Sequence, residues 1–260
     1  MTHLGYKVAI VTGGVTDFSA QAAAVLAQNG ATILLASQHE DEGQQTAAAL
    51  RAQGHKAEFH HLIPTGPLSW AALVDKTMRT HGHLDVLVNH SPASVSTTIE
   101  DATAPQCREM LEAGLIAPFL GIKAAIPAMR QSGGGSIINI AANPIIGVLP
   151  LYPLYSAARA GLVSLTKSTA LQCLQRGYNI RVNAIHPGAH ESESLTADAL
   201  RSIKARNLHA LLGTMPARAE GKLYDFAGAI LHLAGDESTV LTGAELFCNG
   251  PLAGLDFAQS

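Results

Sequence analysis

The sequence predicts a three-layer α/β fold in which helices cover both faces of a doubly wound parallel sheet of about seven strands. Three observations predict it. Apolar runs of strand length alternate with helix-length segments along most of the chain, as in successive βαβ units. The strand-length runs are continuously apolar rather than alternating, which is what burial on both faces requires. With 260 residues, 47% of them hydrophobic, the chain can also supply a large core.

Residues 7–12 read as the first buried strand, 18–29 as a helix closed by Gly30, and 32–37 as the second strand. Helix, strand and helix follow near 42–53, 56–63 and 67–81. Leu84-Asp85-Val86-Leu87-Val88-Asn89 is a fourth strand, and Ser136-Ile137-Ile138-Asn139-Ile140 is a fifth after the Gly133-Gly134-Gly135 turn. Segments 179–185 and 244–248 complete the sheet, and long helices are expected over 101–131 and 153–177. The stretch 187–212 is less regular, and an excursion after a late strand is where a small lobe over a ligand crevice sits in such folds. No repeat, low-complexity stretch or linker divides the chain, so residues 1–260 are expected to form one Rossmann-type domain.

A net charge of −3 without a Lys/Arg run argues against nucleic acid as a partner, and membrane binding is equally unexpected. The N-terminus enters Lys7-Val8-Ala9-Ile10-Val11 with no secretion signal ahead of it, giving a cytoplasmic expectation. Cys107, Cys173 and Cys248 are widely spaced and lack a C-x-x-C, so free, mostly buried thiols are expected rather than disulfides or zinc ligands. None of the 12 histidines is spaced as a recognisable metal site, so no metal is expected.

In order and spacing, several segments together resemble the short-chain dehydrogenase/reductase family across nearly the whole chain. They are Thr12-Gly13-Gly14 after the first strand, the fourth and fifth strands, Tyr155-Ser156-Ala157-Ala158-Arg159-Ala160-Gly161-Leu162, Arg181-Val182-Asn183-Ala184-Ile185-His186-Pro187-Gly188, and Leu241-Thr242-Gly243. The resemblance implies a nicotinamide cofactor whose pyrophosphate rests on a first turn of the form T-G-x-x-x-G-x-G. Here that turn reads Thr12-Gly13-Gly14-Val15-Thr16-Asp17-Phe18-Ser19. Asp17 places a carboxylate near a dianion, or caps the following helix with an anion, and Phe18 and Ser19 are expected to add bulk there. Ser37-Gln38-His39 gives neither the acidic residue of an NAD site nor the basic residue of an NADP site. Leu62-Ile63-Pro64-Thr65 lacks the Asp that contacts adenine in the family, and Asn89-His90-Ser91-Pro92 replaces its N-N-A-G.

The resemblance implies further that a Tyr moves the proton, a Lys four residues on lowers its pKa and holds the nicotinamide ribose, a Ser polarises the carbonyl, and an Asn supports a relay water. Tyr155 is retained, but Arg159 replaces the Lys, Ala142 the Ser, and Gly114 the Asn. Arg159 shares a helix face with Tyr155 and can act on it through charge, yet its planar fork does not substitute for an ammonium at the ribose hydroxyls. His186, His190, Glu191 and Asn143 are candidate polar replacements near the strand ends.

The leading expectation is an oxidoreductase by ancestry with hydride transfer weakened or lost. Tyr155 and Arg159 are its candidate catalytic residues, and Thr12, Gly13, Asn89, Pro187 and Gly188 its candidate contacts to NAD or NADP. A site holding neither cofactor is the open alternative, and the crevice is expected to bind a small molecule. The Tyr155/Arg159 pair also resembles that of the halohydrin dehalogenases, which implies a cofactor-independent Tyr/Arg enzyme as a second reading. A non-catalytic assembly partner is the third. The resemblance implies a homo-oligomer, dimer or tetramer, in all three.

Overall fold

The computed structural model describes residues 4–13, 17–141, 151–187 and 223–248. Seven parallel strands form one sheet: β1 (Val8–Thr12), β2 (Thr32–Ser37), β3 (Ala57–His61), β4 (Val86–Asn89), β5 (Gly135–Ile140), β6 (Ile180–Pro187) and β7 (Glu245–Cys248). Their order across the sheet is β3-β2-β1-β4-β5-β6-β7. The helices are α1 (Asp17–Gln28), α2 (Glu40–Ala52), α3 (Pro67–His81), α4 (Ala104–Leu111), α5 (Ala117–Gln131), α6 (Pro153–Gln175) and α7 (Leu223–Ala234).

Because successive strand residues point to opposite faces, β1 divides its side chains between two cores. Ala9 and Val11 join α1, α2 and α7 through Ala22, Leu26, Leu50, Phe226 and Ile230. Val8 and Ile10 join α3, α5 and α6 through Trp70, Leu73, Ile122, Met129 and Cys173. The chain winds outward from β1 to β3, then returns to place β4 on the other side of β1. That reversal opens a crevice at the carboxyl ends of β1 and β4, where no crossover covers the edge.

Two elements differ from the sequence expectation. The helix expected over 101–131 starts at Ala104, where a capping box formed by Thr103 and Gln106 satisfies its first turn, and a π-helical turn at Glu112–Ile116 interrupts it. Ala104–Gln131 is long and apolar enough to cross a membrane, but Gly121, Ile122, Ala125 and Met129 lie buried in the layer over the sheet. Helix α7 was not expected. Its carboxyl end is held by Lys7, which donates to Ala234 O (3.0 Å), and by Ser136 and Arg181, which donate to Leu233 O (2.7 and 2.8 Å). Two cations at the negative end of a helix dipole are stabilising, and they supply donors to its last carbonyls.

Candidate functional site

At the switch point lies a cavity of about 420 Å³. Thr12 and Gly13 line it from β1, Ser37, Gln38 and His39 from β2, and Pro64 and Thr65 from β3. Asn89 to Ala93 line it from β4, Trp70 from α3, and Glu109, Glu112 and Ala113 from α4 and the π turn. No Lys or Arg occurs among the described lining residues, while two carboxylates do.

The exits of β1 and β4 are stitched together. Thr12 Oγ1 accepts from His90 N (2.9 Å) and donates to His90 O (3.1 Å). Gly13 has φ +78°, and a Cβ there would lie 3.0 Å from His90 O, so this turn needs glycine for both its conformation and its close approach. Phe18 corrects the sequence expectation. Its ring is turned into the core, edge-on to Phe226 at 5.0 Å and to His90 at 6.1 Å, because α1 gains more by burying it than by presenting it to solvent. Ser19 is also fully buried, so neither side chain supplies exposed bulk at the turn.

Asn89 occupies the cavity wall with its amide orientation dictated from behind. Thr166 Oγ1 donates to Leu162 O (2.8 Å), so it accepts from Asn139 Nδ2 (2.8 Å); Asn139 Oδ1 in turn accepts from Asn89 Nδ2 (2.8 Å). Asn89 Oδ1 is therefore turned the other way, beside Trp70 and Gly121, and has no hydrogen-bond donor.

Tyr155 and Arg159 lie on α6 and contribute nothing to the lining of this cavity. Arg159 is 3% exposed. Its Nη1 donates to Ile140 O (3.1 Å) at the end of β5, and its Nη2 to Ser91 O in the segment after β4. The guanidinium sits 5.3 Å from the centroid of the Tyr155 ring and forms no ion pair among the described residues. Gly114 lies on the π turn so close to α6 that a Cβ would fall 2.9 Å from Ala158 Cβ. This contact leaves no room for the side chain that stands at Gly114 in the family.

Pro187 is the last residue of β6. Beside it, His186 Nε2 donates to Glu245 (2.8 Å) and its ring stacks on Phe247 at 4.3 Å, which commits it to β7. Lys167 reaches the other Glu245 oxygen at 2.6 Å. Burial works to raise the Glu245 pKa, but hydrogen bonds and charge from Lys167 and His186 outweigh it and hold the carboxyl below its ordinary value. Ala142, Asn143, Gly188, His190 and Glu191 fall outside the described residues.

A family model described as enoyl-(acyl carrier protein) reductase matches residues 17–252. Trans-4-hydroxycyclohexanecarboxylate dehydrogenase of Sinomonas cyclohexanicum is 36% identical over 94% of this chain and 92% of its own length. This chain belongs to the short-chain dehydrogenase/reductase family. Cyclopentanol dehydrogenase of Comamonas testosteroni is 32% identical over 96% of this chain and 98% of its own. A solved structure from Sinorhizobium meliloti 1021, assigned to the short-chain alcohol dehydrogenases, superposes with a TM-score of 0.86 at 24% identity, covering 98% of this chain and 99% of that one.

Against the cofactor of the short-chain dehydrogenases/reductases, the described residues fit poorly at the ribose position. Two of Arg159's donor groups are directed at main-chain carbonyls instead of ribose hydroxyls, and the described cavity wall offers a phosphate no cation. Sequence reasoning missed Trp70, Glu109 and Glu112 as lining residues, because helix residues reach the crevice only through packing. It also missed the Asn89–Asn139 pair, although the signal was there: Asn89 and Asn139 are register partners that interrupt apolar runs of adjacent strands.

Proposed function

We propose that this chain is a diverged short-chain dehydrogenase/reductase whose hydride transfer is weakened or lost and whose crevice still accepts a small molecule at its β1–β4 end. The observation that carries the reading is the Arg159 guanidinium, buried and hydrogen-bonded to Ser91 O and Ile140 O. A lysine in that place offers its ammonium outward to a ribose; here the cation braces the exits of two strands. With Tyr155 as proton donor and no ribose anchor or polarising Ser, a loss of about 10²–10⁴-fold in turnover is expected from the general acid–base contribution alone. Thr12, Gly13, Asn89, Pro187 and Gly188 are the contacts such a site would use for NAD or NADP.

Titration with NADH and NADPH, followed by thermal shift and nicotinamide fluorescence, tests the reading. A ligand at 100 times its dissociation constant stabilises by about 2.7 kcal/mol. No shift is expected with either cofactor at a concentration that saturates an ordinary dehydrogenase, and a full-sized shift with rapid oxidation of cyclopentanol or trans-4-hydroxycyclohexanecarboxylate would overturn it.

The guanidinium beside the Tyr155 ring favours a second reading, a cofactor-independent enzyme with Tyr155 as base. Halide release from a halohydrin in the absence of nucleotide would establish it. In either case we place the protein in the cytoplasm as a homo-oligomer, dimer or tetramer, supported by exposed Leu171 and Leu174 on α6 and Phe119 on α5.

A further inference from the structure

The outer edge of the sheet carries a group of titratable side chains that the chemistry at α6 does not use. Glu58 and His60, two residues apart on β3, point to the same face, and α3 lays Lys76 and His81 against them. Lys76 Nζ donates to His60 Nδ1 at 3.3 Å. A lysine ammonium has no lone pair to offer, so His60 is neutral here and its ring proton sits on Nε2. That nitrogen lies 3.3 Å from one oxygen of Glu58, and His81 Nε2 lies 3.9 Å from the other. Neither imidazole nitrogen reaches hydrogen-bond geometry with the carboxylate, and both are shut off from water.

This arrangement is sensitive to one proton. Protonating His60 removes the acceptor that Lys76 uses and sets two cations 3.3 Å apart. The same proton strengthens the attraction of Nε2 to Glu58, whereas charge on neighbouring His81 opposes it. Lys76 is exposed and free to swing into solvent, whereas the His60 side chain is 8% exposed and stays. The groups acting on His60 are Glu58 from its own strand and Lys76 and His81 from α3; β2 presents only Ala36 in register with it.

The group is tied to the cavity by short connections. Four residues beyond His60, Pro64 lines the cavity and accepts from the Trp70 indole N–H at 2.8 Å. Trp70 lies on the same helix as Lys76 and lines the cavity as well. His60 pairs with Ala36, the residue before cavity-lining Ser37. We propose that Glu58, His60, Lys76 and His81 form a pH-operated latch between β3 and α3, exchanging the Lys76–His60 hydrogen bond for pairing of His60 with Glu58 and shifting the Trp70 wall of the cavity. The latch holds whether or not hydride transfer persists.

Burial, then the Lys76 charge, lowers the His60 pKa from its ordinary 6.5 against the opposing pull of Glu58. The unfolded chain therefore takes up this proton first as pH falls. The contribution of neutral His60 to stability is complete above 6.5 and declines as pH drops through 6.5 toward the lowered value.

The chain's single tryptophan is Trp70, so its emission reads the wall directly. Followed from about pH 8 to about pH 5, the range in which histidine charge changes, emission should show a transition with its midpoint below 6.5. Lys76→Met, at an exposed position, should raise that midpoint, and the imidazole NMR signals of His60 should move with it. His60→Gln should abolish the transition. Emission that stays flat over this range, or a midpoint unchanged in Lys76→Met, would overturn the proposal, and the Lys76→Met arm remains decisive if His60→Gln does not fold.

Discussion

The two ends of the crevice share one edge of the sheet, and their described residues treat it differently. At the β1–β4 end lies a cavity of about 420 Å³ with Gly13, Trp70 and Asn89 in its wall. At the β5–α6 end, a guanidinium bridges Ile140 O and Ser91 O, and Gly114 lets α6 pack against the π turn. The difference teaches that a pocket and a reaction centre are separable features of one fold: sheet topology makes the first, and a few side chains at helix α6 and the strand exits make the second.

The comparison breaks most directly if the α6 end is given back the two side chains. Arg159→Lys combined with Ala142→Ser should raise NAD- or NADP-dependent turnover of cyclopentanol by at least about 100-fold, because it returns both a point donor and a polarising hydroxyl. Unchanged turnover with the fold intact would mean that the β1–β4 end, not the α6 end, limits the chemistry. The converse change crowds the β1–β4 end. In Gly121→Ala a Cβ would lie 2.7 Å from the Trp70 ring and 2.8 Å from Asn89 Oδ1, so a loss of about 1–3 kcal/mol in urea unfolding and a smaller cavity are expected. The smallest effect lies beyond both ends, on β7. Because the Glu245 carboxyl is held below its ordinary 4.5, its stabilisation is present above that value and is lost as pH falls through the lowered one. Glu245→Gln should therefore flatten the acid limb of a stability–pH curve without altering turnover in the Arg159→Lys/Ala142→Ser variant.

The sheet was legible because parallel strands buried on both faces write themselves as apolar runs; β1, β2, β4 and β5 stand within two residues of their expected bounds. Helix α7 was not, since it follows the long excursion and its identity depends on Lys7, Arg181 and Ser136, which lie far away in sequence and receive its carboxyl end. At the site, the replacement of Lys, Ser and Asn was readable in the sequence only through the family resemblance. The direction of each replacement was not: Phe18 turning inward, Arg159 turning to two carbonyls and His186 turning to Glu245 are outcomes of packing that a linear pattern does not contain. Lys76 and His60, 16 residues apart, meet only because α3 folds back over β3.

The amide chain from Thr166 through Asn139 to Asn89 has a polarity, and only its first member can choose it. A hydroxyl on α6 thus turns an acceptor rather than a donor toward Trp70 and Gly121, two strands away on the same face of the sheet. Exchanging that threonine for valine would free both amides to reverse, so a helix residue outside the cavity lining sets which amide atom of Asn89 is held against Trp70.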